Sequence, residues 1–534
     1  MVVSSGLLAL GLGIGLVSRA APFPFPPSPF PQDTAKGRAV YDKWCASCHG
    51  DGGAGDGPAA RYMLPRPRDF TAALYQVRTT ASGQLPTDAD LMTVMANGIP
   101  GTTMPGWETR LSKQDRVALL VHLKSFSAFF ADSSQQPQPL EFGRAPGGGE
   151  PTVRAGRQFY DSIGCAKCHG ELGRGDGPSA PTLKDDAGLP ILAADLSQHW
   201  LFNGGGRVED IYRRLRTGLD GTPMPSFSDL IDQQFLTDEE LWRLAQYVRR
   251  LSPERAPEAA EVIRAPQRAG PLPAAPDDSG WADVERYWVP LVGQIIRKPR
   301  WFTPAVSGIW VQAVHDGATL ALRLTWHDRS ASPDTAWQDF ADKVLAAVAS
   351  DDTVVAAGLW PDQVAVQFPR RLADGMERPY FLMGSSADPV YQWRWTSVPG
   401  GAVAGLARGM DRFEALPGTR VAARAIYDRG AWRVVFTRTL ATADTANELV
   451  FRTGRAIPIA LFAWDGSMGE AGARSAVSSW YSLALERPTP PTAYLSPVVA
   501  MALTLGVGLV VVRRAQTRGE RGTRGERGKG KGEG

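Results

Sequence analysis

Two copies of one pentapeptide constrain this chain more than any other feature of its sequence. CASCH at residues 45–49 recurs as CAKCH at residues 165–169, and the two copies contain all four cysteines of the 534 residues. The pattern C-x-x-C-H is the attachment signature of c-type haem. Its two thiols form thioethers to one porphyrin, and the histidine that follows is held under the iron as an axial ligand. The sequence therefore predicts two covalently bound c-type haems.

A C-x-x-C pair has other uses, namely a redox dithiol or half of a zinc site. Neither alternative explains a histidine directly after the second cysteine in both copies. With every thiol assigned to haem, no cysteine is left for structural disulfides. The residues predicted to hold the two haems are Cys45, Cys48, His49, Cys165, Cys168 and His169.

A methionine lies downstream of each motif at the same distance. Met104 lies in GTTMP and Met224 in GTPMP, and the two are separated by the same number of positions as the two haem motifs. The whole unit is therefore duplicated. A methionine that fills a gap in the core is the alternative interpretation. The matched surroundings favour axial ligands instead, and His–Met ligation fills the iron's coordination sphere and raises its reduction potential.

Each repeat resembles a class I cytochrome c domain, over residues 34–130 and 153–252. The haem motif, a glycine-rich Asp-Gly-Pro loop, the Met-Pro turn and a closing amphipathic helix follow in that order twice. The resemblance implies two all-α domains, the first spanning 33–132 and the second 153–252. A Gln/Pro/Gly-rich linker at 133–152 separates them, and a Pro/Ala-rich linker at 253–279 follows.

Both ends of the chain carry membrane signals. Residues 1–20 contain an apolar run and an acceptable cleavage site, which predicts an export signal, or an uncleaved anchor because the first residues carry no Lys or Arg. A proline-rich spacer follows at 21–32. Residues 494–512 form an apolar stretch long enough to cross a bilayer. The basic tail at 513–534 is predicted to be cytoplasmic by the positive-inside rule, with the domains on the extracytoplasmic side.

Residues 280–487 form a third domain with a different pattern. At 534 residues the chain is too long for one ordinary core. Segments 307–314 and 319–326 alternate with a period of two around Asp316-Gly317, which predicts a β-hairpin. Further alternating segments indicate a mostly-β, sandwich-like domain. The net charge of +3 gives no case for a nucleic-acid surface.

The third domain is similar to the haem b-binding γ subunit of ethylbenzene dehydrogenase. The residues that carry the resemblance are dispersed: FLMG at 381–384, PVYQWRW at 389–395, FAWDG at 462–466 and SAVSSW at 475–480. Relatives of that subunit accompany molybdenum enzymes of the type II dimethyl sulfoxide reductase family, nitrite oxidoreductases among them. The resemblance therefore implies partner subunits that carry molybdopterin and iron–sulfur clusters.

In that family a methionine and a lysine hold the b haem iron. Met383 matches the methionine, but Arg474 stands where the lysine is expected. Arginine stays protonated and has no free lone pair, so it cannot replace an amine ligand. Two outcomes stay open. Either another group replaces the lysine, with Met468 favoured over His315 and His327, or the domain lacks haem b and docks a partner.

Together these features predict a membrane-anchored, extracytoplasmic dihaem cytochrome that relays electrons without catalysis of its own. Its expected partners are molybdopterin and iron–sulfur subunits of a nitrite oxidoreductase-like complex, a respiratory electron carrier and membrane lipid. The alternatives are a freestanding donor to a terminal oxidase, a haem enzyme with an open iron position, and a structural anchor.

Overall fold

The chain forms two helical domains and one β domain, followed by a long C-terminal helix, which agrees with the predicted fold class. The computed structural model describes residues 31–132, 134–348, 358, 360–373, 377–418, 420–488 and 491–526. The predicted export signal, the spacer up to residue 30 and the tail from residue 527 lie outside the described residues.

The first helical domain is built on two long helices that meet at a glycine. Its helices are α1 (Pro31–Trp44), α2 (Ala46–His49), α3 (Asp88–Asn97) and α4 (Lys113–Lys124). An added Cβ at Gly37 of α1 would lie 2.1 Å from the carbonyl oxygen of Ala118 in α4, so the two backbones approach this closely only at a glycine. Ser112 caps α4 as predicted, because its side chain accepts the backbone N–H of Asp115 at 3.1 Å.

The second helical domain repeats this plan. Its helices are α5 (Glu150–Ile163), α6 (Ala166–His169), α7 (Val208–Thr217), α8 (Ser228–Asp232) and α9 (Asp238–Arg250). Gly156 of α5 faces the carbonyl oxygen of Arg243 in α9, again with 2.1 Å to an added Cβ. Thr237 caps α9, accepting the backbone N–H of Glu240 at 3.3 Å, as the predicted capping box requires.

The β domain contains two sheets. Its strands are β1 (Val262–Ala265), β2 (Tyr287–Pro290), β3 (Val292–Gly293), β4 (Gly308–His315), β5 (Thr319–His327), β6 (Gln363–Pro369), β7 (Val390–Thr396), β8 (Gly401–Ala407), β9 (Phe413–Ala415), β10 (Ala422–Tyr427), β11 (Ala431–Thr439), β12 (Ala456–Trp464), β13 (Ala476–Val477) and β14 (Tyr481–Leu485). Within the described residues, one sheet has the order β1-β14-β12-β6-β7-β8-β9, with β13 between β12 and β3. The other has the order β10-β11-β5-β4-β2.

The inner faces of both sheets form one apolar core, as expected for a sandwich. Trp326 of β5 and Trp395 of β7 pack edge to face across it, with ring centroids 6.2 Å apart. The predicted hairpin is confirmed, since His315 pairs with Leu320 on either side of the turn. Asp316 closes that turn by accepting the backbone N–H groups of residues 318 and 319.

Two helices lie outside the sheets. α10 (Thr335–Ala347) packs between the β domain and the helical domains, and α11 (Pro491–Glu526) ends the described chain. Within the described residues, one segment is long and apolar enough to cross a membrane, Leu495–Arg518 in α11, with a mean hydropathy of 2.3. It overlaps the span predicted at 494–512.

Candidate haem sites

The first C-x-x-C-H motif forms a single helical turn that buries its histidine. α1 delivers Cys45, and α2 carries the remaining motif residues. The Nδ1 of His49 lies 3.0 Å from the carbonyl oxygen of Arg68, and its ring stacks on Phe70 with centroids 4.5 Å apart. A carbonyl can only accept, so Nδ1 carries the proton and Nε2 keeps a free lone pair. Burial lowers the pKa of His49, which keeps the ring neutral and able to bind a metal.

The second motif has the same geometry. α6 carries His169, whose Nδ1 lies 3.0 Å from the carbonyl oxygen of Ala194. Burial lowers the pKa of His169 as well. Both histidines therefore present an Nε2 lone pair with the ring orientation fixed by the backbone, an arrangement typical of iron-ligating imidazoles.

The first cysteine of each motif is not activated as a thiolate. Burial raises the pKa of Cys45 to about 12 and that of Cys165 to about 11. A nucleophilic redox cysteine has a depressed pKa instead. Neither Cys45 nor Cys165 has that character.

A tyrosine hydroxyl holds the backbone after each motif. Tyr41 donates to the carbonyl oxygen of Gly50 at 2.6 Å, and Tyr160 donates to that of Gly170 at 2.6 Å. Gly50 has a φ of 79°, and an added Cβ there would lie 2.0 Å from the Oδ1 atom of Asp56. The glycine-rich loop therefore folds back tightly over the motif in both domains.

The two methionine loops also have equivalent conformations. The backbone N–H of Met104 donates to the hydroxyl of Thr102 at 3.1 Å, and that of Met224 donates to the hydroxyl of Thr222 at 3.2 Å. Both methionine side chains are partly exposed. Met224 packs against the same apolar cluster as Cys165, which brings these two predicted residues together.

A second methionine sulfur lies beside the Met104 loop. Met63 is buried, and its sulfur accepts a hydrogen bond from Thr103 at 3.4 Å. This bond ties the methionine loop to the segment that follows the glycine-rich loop. Sequence reasoning did not single out Met63, because the second repeat has no methionine in the corresponding segment.

Polar groups next to the first histidine distinguish it from the second. The Arg68 side chain interacts with Tyr75, whose buried hydroxyl has no hydrogen-bond partner among the described residues. Burial lowers the pKa of Arg68 and raises that of Tyr75. In the second domain Ala194 stands where Arg68 stands in the first. The only sequence signal for this difference is an arginine in one repeat and an alanine in the other.

A buried ion pair joins the two helical domains. The Nη2 of Arg78 lies 2.7 Å from the Oδ2 of Asp220, and their side chains are 0% and 10% exposed. Asp220 also accepts the hydroxyl of Ser82 and the backbone N–H of Gly83, both at 2.8 Å. Because Asp220 directly precedes the Met224 loop, this contact fixes that loop against the first domain.

The second helical domain also binds the β domain. Nδ1 of His327, at the end of β5, lies 2.7 Å from the Oδ2 of Asp195. Although burial alone would raise the pKa of Asp195, the hydrogen bond and charge of His327 hold it below its usual value. Asp195 follows Ala194, the partner of His169. The contact therefore connects the second histidine's support to the β sandwich.

The predicted ligands of the third domain lie in different surroundings. Met383 is 1% exposed and packs in an apolar cluster with Phe462 and Trp464, and its sulfur accepts from Arg394 Nη2 at 3.4 Å. Met468 packs in another cluster, which includes Cys168 and the residues of α10. The structure therefore does not bring Met383 and Met468 into one cluster.

The side chain of Arg474 contacts a backbone carbonyl and an aromatic ring. It is 8% exposed, donates from Nε to the carbonyl of Gly469 at 3.2 Å, and has its guanidinium carbon 5.6 Å from the ring centroid of Trp360. Burial lowers the pKa of Arg474, while Glu470 opposes the shift. Its guanidinium is thus engaged by the backbone and an aromatic face.

Three family models match successive parts of the chain. The model described as cytochrome C oxidase, cbb3-type, subunit III matches residues 32–123, and the model for cytochrome c matches residues 153–252. The model for ethylbenzene dehydrogenase matches residues 278–412. The two helical domains are therefore cytochrome c domains, which implies covalent haem c, and the β domain is of the ethylbenzene dehydrogenase γ type.

Two named proteins are similar to part of the chain. A protein of Haloferax mediterranei, provisionally named a respiratory nitrate reductase heme subunit (ORF7), is 26% identical over 249 residues, 46% of this chain and 82% of that protein. The chlorate reductase subunit gamma of Ideonella dechloratans is 28% identical over 233 residues, 42% of this chain and 86% of that protein.

Solved structures also match parts of the chain. A chain of the reducing HAO-like protein complex of Kuenenia stuttgartiensis is 43% identical, covers 41% of this chain and 97% of that chain, and has a TM-score of 0.39.

Proposed function

We propose that this chain, in which two cytochrome c domains precede an ethylbenzene dehydrogenase-like domain, is the membrane-anchored electron-relay subunit of a molybdenum oxidoreductase complex. The observation that carries the proposal is the duplication of one haem-binding geometry in domains that pack on each other and on the β domain. Haem c supplies one-electron transfer. The protein's part is to hold the two groups in fixed positions near one another.

His49 and His169 would bind the irons through Nε2, and Met104 and Met224 would bind them from the other side. The matched conformations of the two methionine loops support this assignment. Cys45, Cys48, Cys165 and Cys168 would carry the thioethers. Six-coordinate iron of this kind passes electrons and leaves no position open for a substrate.

The surroundings of the first site fit a haem propionate. Arg68 is a partly buried cation, and the Tyr75 hydroxyl beside it is a buried donor without a partner among the described residues. A carboxylate accepts hydrogen bonds from both groups. We therefore assign Arg68 and Tyr75 to a propionate of the first haem.

Methionine substitutions test the axial ligands. Met104→Ala and Met224→Ala should each lower the potential of one haem and let that haem bind carbon monoxide in the reduced protein. Met63→Leu is the matched control, because it removes the neighbouring sulfur and should leave both haems closed. Closed haems in both alanine variants would refute the assignment, because another group would then fill the sixth position. Carbon monoxide binding by the wild-type chain would favour the open-iron alternative.

Cysteine substitution tests the covalent attachment. Cys165→Ala should compromise attachment of the second haem only. A pyridine haemochrome spectrum with acid-acetone extraction measures this, since a haem held by one thioether or none differs from haem c. Loss of both haems in this variant would contradict two independent sites.

The route of the electrons follows from the contacts between domains. Cys168 packs in the same apolar cluster as Met468 and α10, so the second haem site borders the β domain. Gly221, next to the Met224 loop, faces the Arg68 side chain, with 3.3 Å from an added Cβ to Nη1. We infer that an iron–sulfur subunit docked on the β domain would deliver electrons to the second haem, and that they would continue to the first haem and a respiratory carrier.

The names of the relatives support a molybdenum partner. Chlorate reductase subunit gamma and the nitrate reductase heme subunit are both components of oxidoreductases. Nitrite oxidoreductase is our first choice for the complex. Mild detergent extraction followed by affinity purification of the chain should recover subunits that contain molybdopterin and iron–sulfur clusters. Recovery of the chain alone, with intact haems, would favour a freestanding relay.

The match of the first domain to a cbb3-type oxidase subunit favours one alternative. In that case the chain would donate electrons to a terminal oxidase. Co-purification with an oxidase, and reoxidation of the reduced haems that is inhibited by cyanide, would identify this role.

The γ-type resemblance of the third domain favours a haem b there, but the surroundings of its two candidate methionine ligands do not. Met383 already accepts a hydrogen bond from Arg394, and Met468 packs in another cluster. We therefore assign the relay to the two c haems and regard the β domain as the docking module. One extractable haem in the haemochrome experiment would overturn this and direct attention to Met383.

The orientation in the membrane rests on charge. The apolar segment Leu495–Arg518 would anchor the chain, with the basic tail cytoplasmic and the haem domains in the periplasm. A C-terminal fluorescent-protein fusion should be active, and a C-terminal alkaline phosphatase fusion inactive. The reverse pattern would refute this orientation.

A further inference from the structure

Three buried carboxylates converge at one end of the β sandwich. Asp328 follows β5, Asp362 precedes β6 and Asp465 follows β12. Carboxylate oxygens of all three lie within 4.8 Å of one another, and the side chains are 3%, 0% and 1% exposed. Ionised carboxylates this close repel each other, and burial leaves little water to screen them.

Asp362 is oriented by three donors. Its Oδ1 accepts the backbone N–H of Gly466 at 2.8 Å, while its Oδ2 accepts the backbone N–H of Ser332 at 2.7 Å and the indole N–H of Trp432 at 2.9 Å. These contacts fix the carboxylate of Asp362 at the end of the sandwich where the other two aspartates lie.

Asp465 supplies an oxygen with no protein partner. Its Oδ1 accepts the backbone N–H of Ser467 at 2.8 Å and the hydroxyl of the same residue at 2.5 Å. Its Oδ2 is buried and has no hydrogen-bond partner among the described residues. A buried carboxylate oxygen left in this state is costly unless another group binds it.

Asp328 is only weakly engaged by the protein. The indole N–H of Trp326 and the backbone N–H of Ser330 reach its oxygens at 3.4 and 3.3 Å, both long for hydrogen bonds. Arg329 adds positive charge near Asp465, but its buried Nε has no hydrogen-bond partner among the described residues. Arg329 alone does not balance three carboxylates.

We propose that Asp328, Asp362 and Asp465 bind a divalent cation, and that Ca²⁺ fits best. Carboxylate oxygens are the ligands that Ca²⁺ prefers, at about 2.3–2.6 Å. The three oxygens lie close enough together for one ion to bind all of them. Mg²⁺ usually keeps several of its waters, so a buried set of three carboxylates suits Ca²⁺ better. A divalent ion together with Arg329 balances the three carboxylates.

The site would stabilise the face that the β domain presents to the second cytochrome c domain. Asp328 is the residue after His327, which pairs with Asp195 of that domain. An ion that ties together the ends of β5, β6 and β12 would hold His327 in place. The proposal does not depend on the identity of the complex, so it can fail while the proposed electron relay stands.

Calcium binding by the complete, haem-loaded chain tests the proposal. The detergent-purified protein is stripped with EGTA, equilibrated with CaCl₂ in KCl buffer, and its bound calcium is measured by mass spectrometry of the elements. We expect one Ca²⁺ per wild-type chain and a higher unfolding temperature when it is bound. Asp465→Asn and Asp328→Asn should weaken binding by about tenfold or more.

Asp316→Asn is the matched control, because it removes a carboxylate at the opposite end of β5 and asparagine can accept the same two backbone N–H groups. This variant should bind Ca²⁺ like the wild type. The wild-type stoichiometry is decisive even where an aspartate variant fails to fold. No calcium on the wild-type chain, or unchanged affinity in a folded Asp465→Asn chain, would overturn the proposal.

Discussion

Asp220→Ala should destabilise the contact between the two cytochrome c domains more than any surface charge change. The substitution strands the guanidinium of Arg78, which is 0% exposed, and removes two further hydrogen bonds at 2.8 Å. Breaking a buried ion pair from one side costs about 3–5 kcal/mol. Arg78 would keep the carbonyls of Tyr75, Ala81 and Thr217 as acceptors. We therefore expect the free energy of unfolding to fall by about 3 kcal/mol, near the lower end of that range.

This loss is measured by urea denaturation of the haem-loaded chain. Circular dichroism in the haem absorption band monitors the unfolding. Asp161→Ala is the control, since Asp161 and Arg157 form a pair at 3.8 Å with side chains more than half exposed. That control should change the unfolding free energy of the haem domains by less than about 0.5 kcal/mol. Arg78→Met in the Asp220→Ala chain should restore about 1 kcal/mol or more, because it removes the stranded charge. A cost for Asp220→Ala no larger than that of the control would refute the reasoning.

Three further substitutions test other contacts. Tyr41→Phe removes the 2.6 Å hydrogen bond to the Gly50 carbonyl, which keeps its second bond from the backbone N–H of Gly53. Thermal unfolding should therefore show a loss of stability of about 1 kcal/mol, and equal stability would contradict this reasoning. Gly37→Ala drives a Cβ to 2.1 Å from the Ala118 carbonyl and should cost about 1–3 kcal/mol by urea denaturation, whereas a more stable variant would show that the helices can separate freely. Glu448→Ala leaves Arg438 buried without its partner at 2.7 Å and should lower the stability of the β domain by about 3–5 kcal/mol. Unfolding monitored by far-ultraviolet circular dichroism measures this change. Glu414→Ala, which breaks a more exposed pair with Arg408, should have little effect.

Features set by neighbouring residues could be predicted from the sequence. The haem motifs, the caps at Ser112 and Thr237 and the Asp316 turn each depend on side chains a few positions apart. The alternation of β4 and β5 predicted the hairpin for the same reason. Local chemistry of this kind decides local structure before any tertiary contact forms.

Features that depend on distant residues could not be predicted in this way. Arg78 and Asp220 come from different repeats, and nothing in either segment indicates the other. Asp328, Asp362 and Asp465 each follow or precede an ordinary strand and meet only when the sandwich closes. Met383 and Met468 lie in separate apolar clusters, which could not be predicted either, because sequence spacing does not fix which core a loop enters.

Arg68 brings positive charge to the place where the two cytochrome c domains meet. Its carbonyl supports His49, and its Nη1 lies 3.3 Å from the position of a Cβ added at Gly221, in the methionine loop of the second domain. A reduced haem carries one positive charge fewer than an oxidised one, so a nearby cation favours the reduced form. Because the guanidinium lies between the two domains, it would act on both haems. Its removal should therefore shift both reduction potentials together.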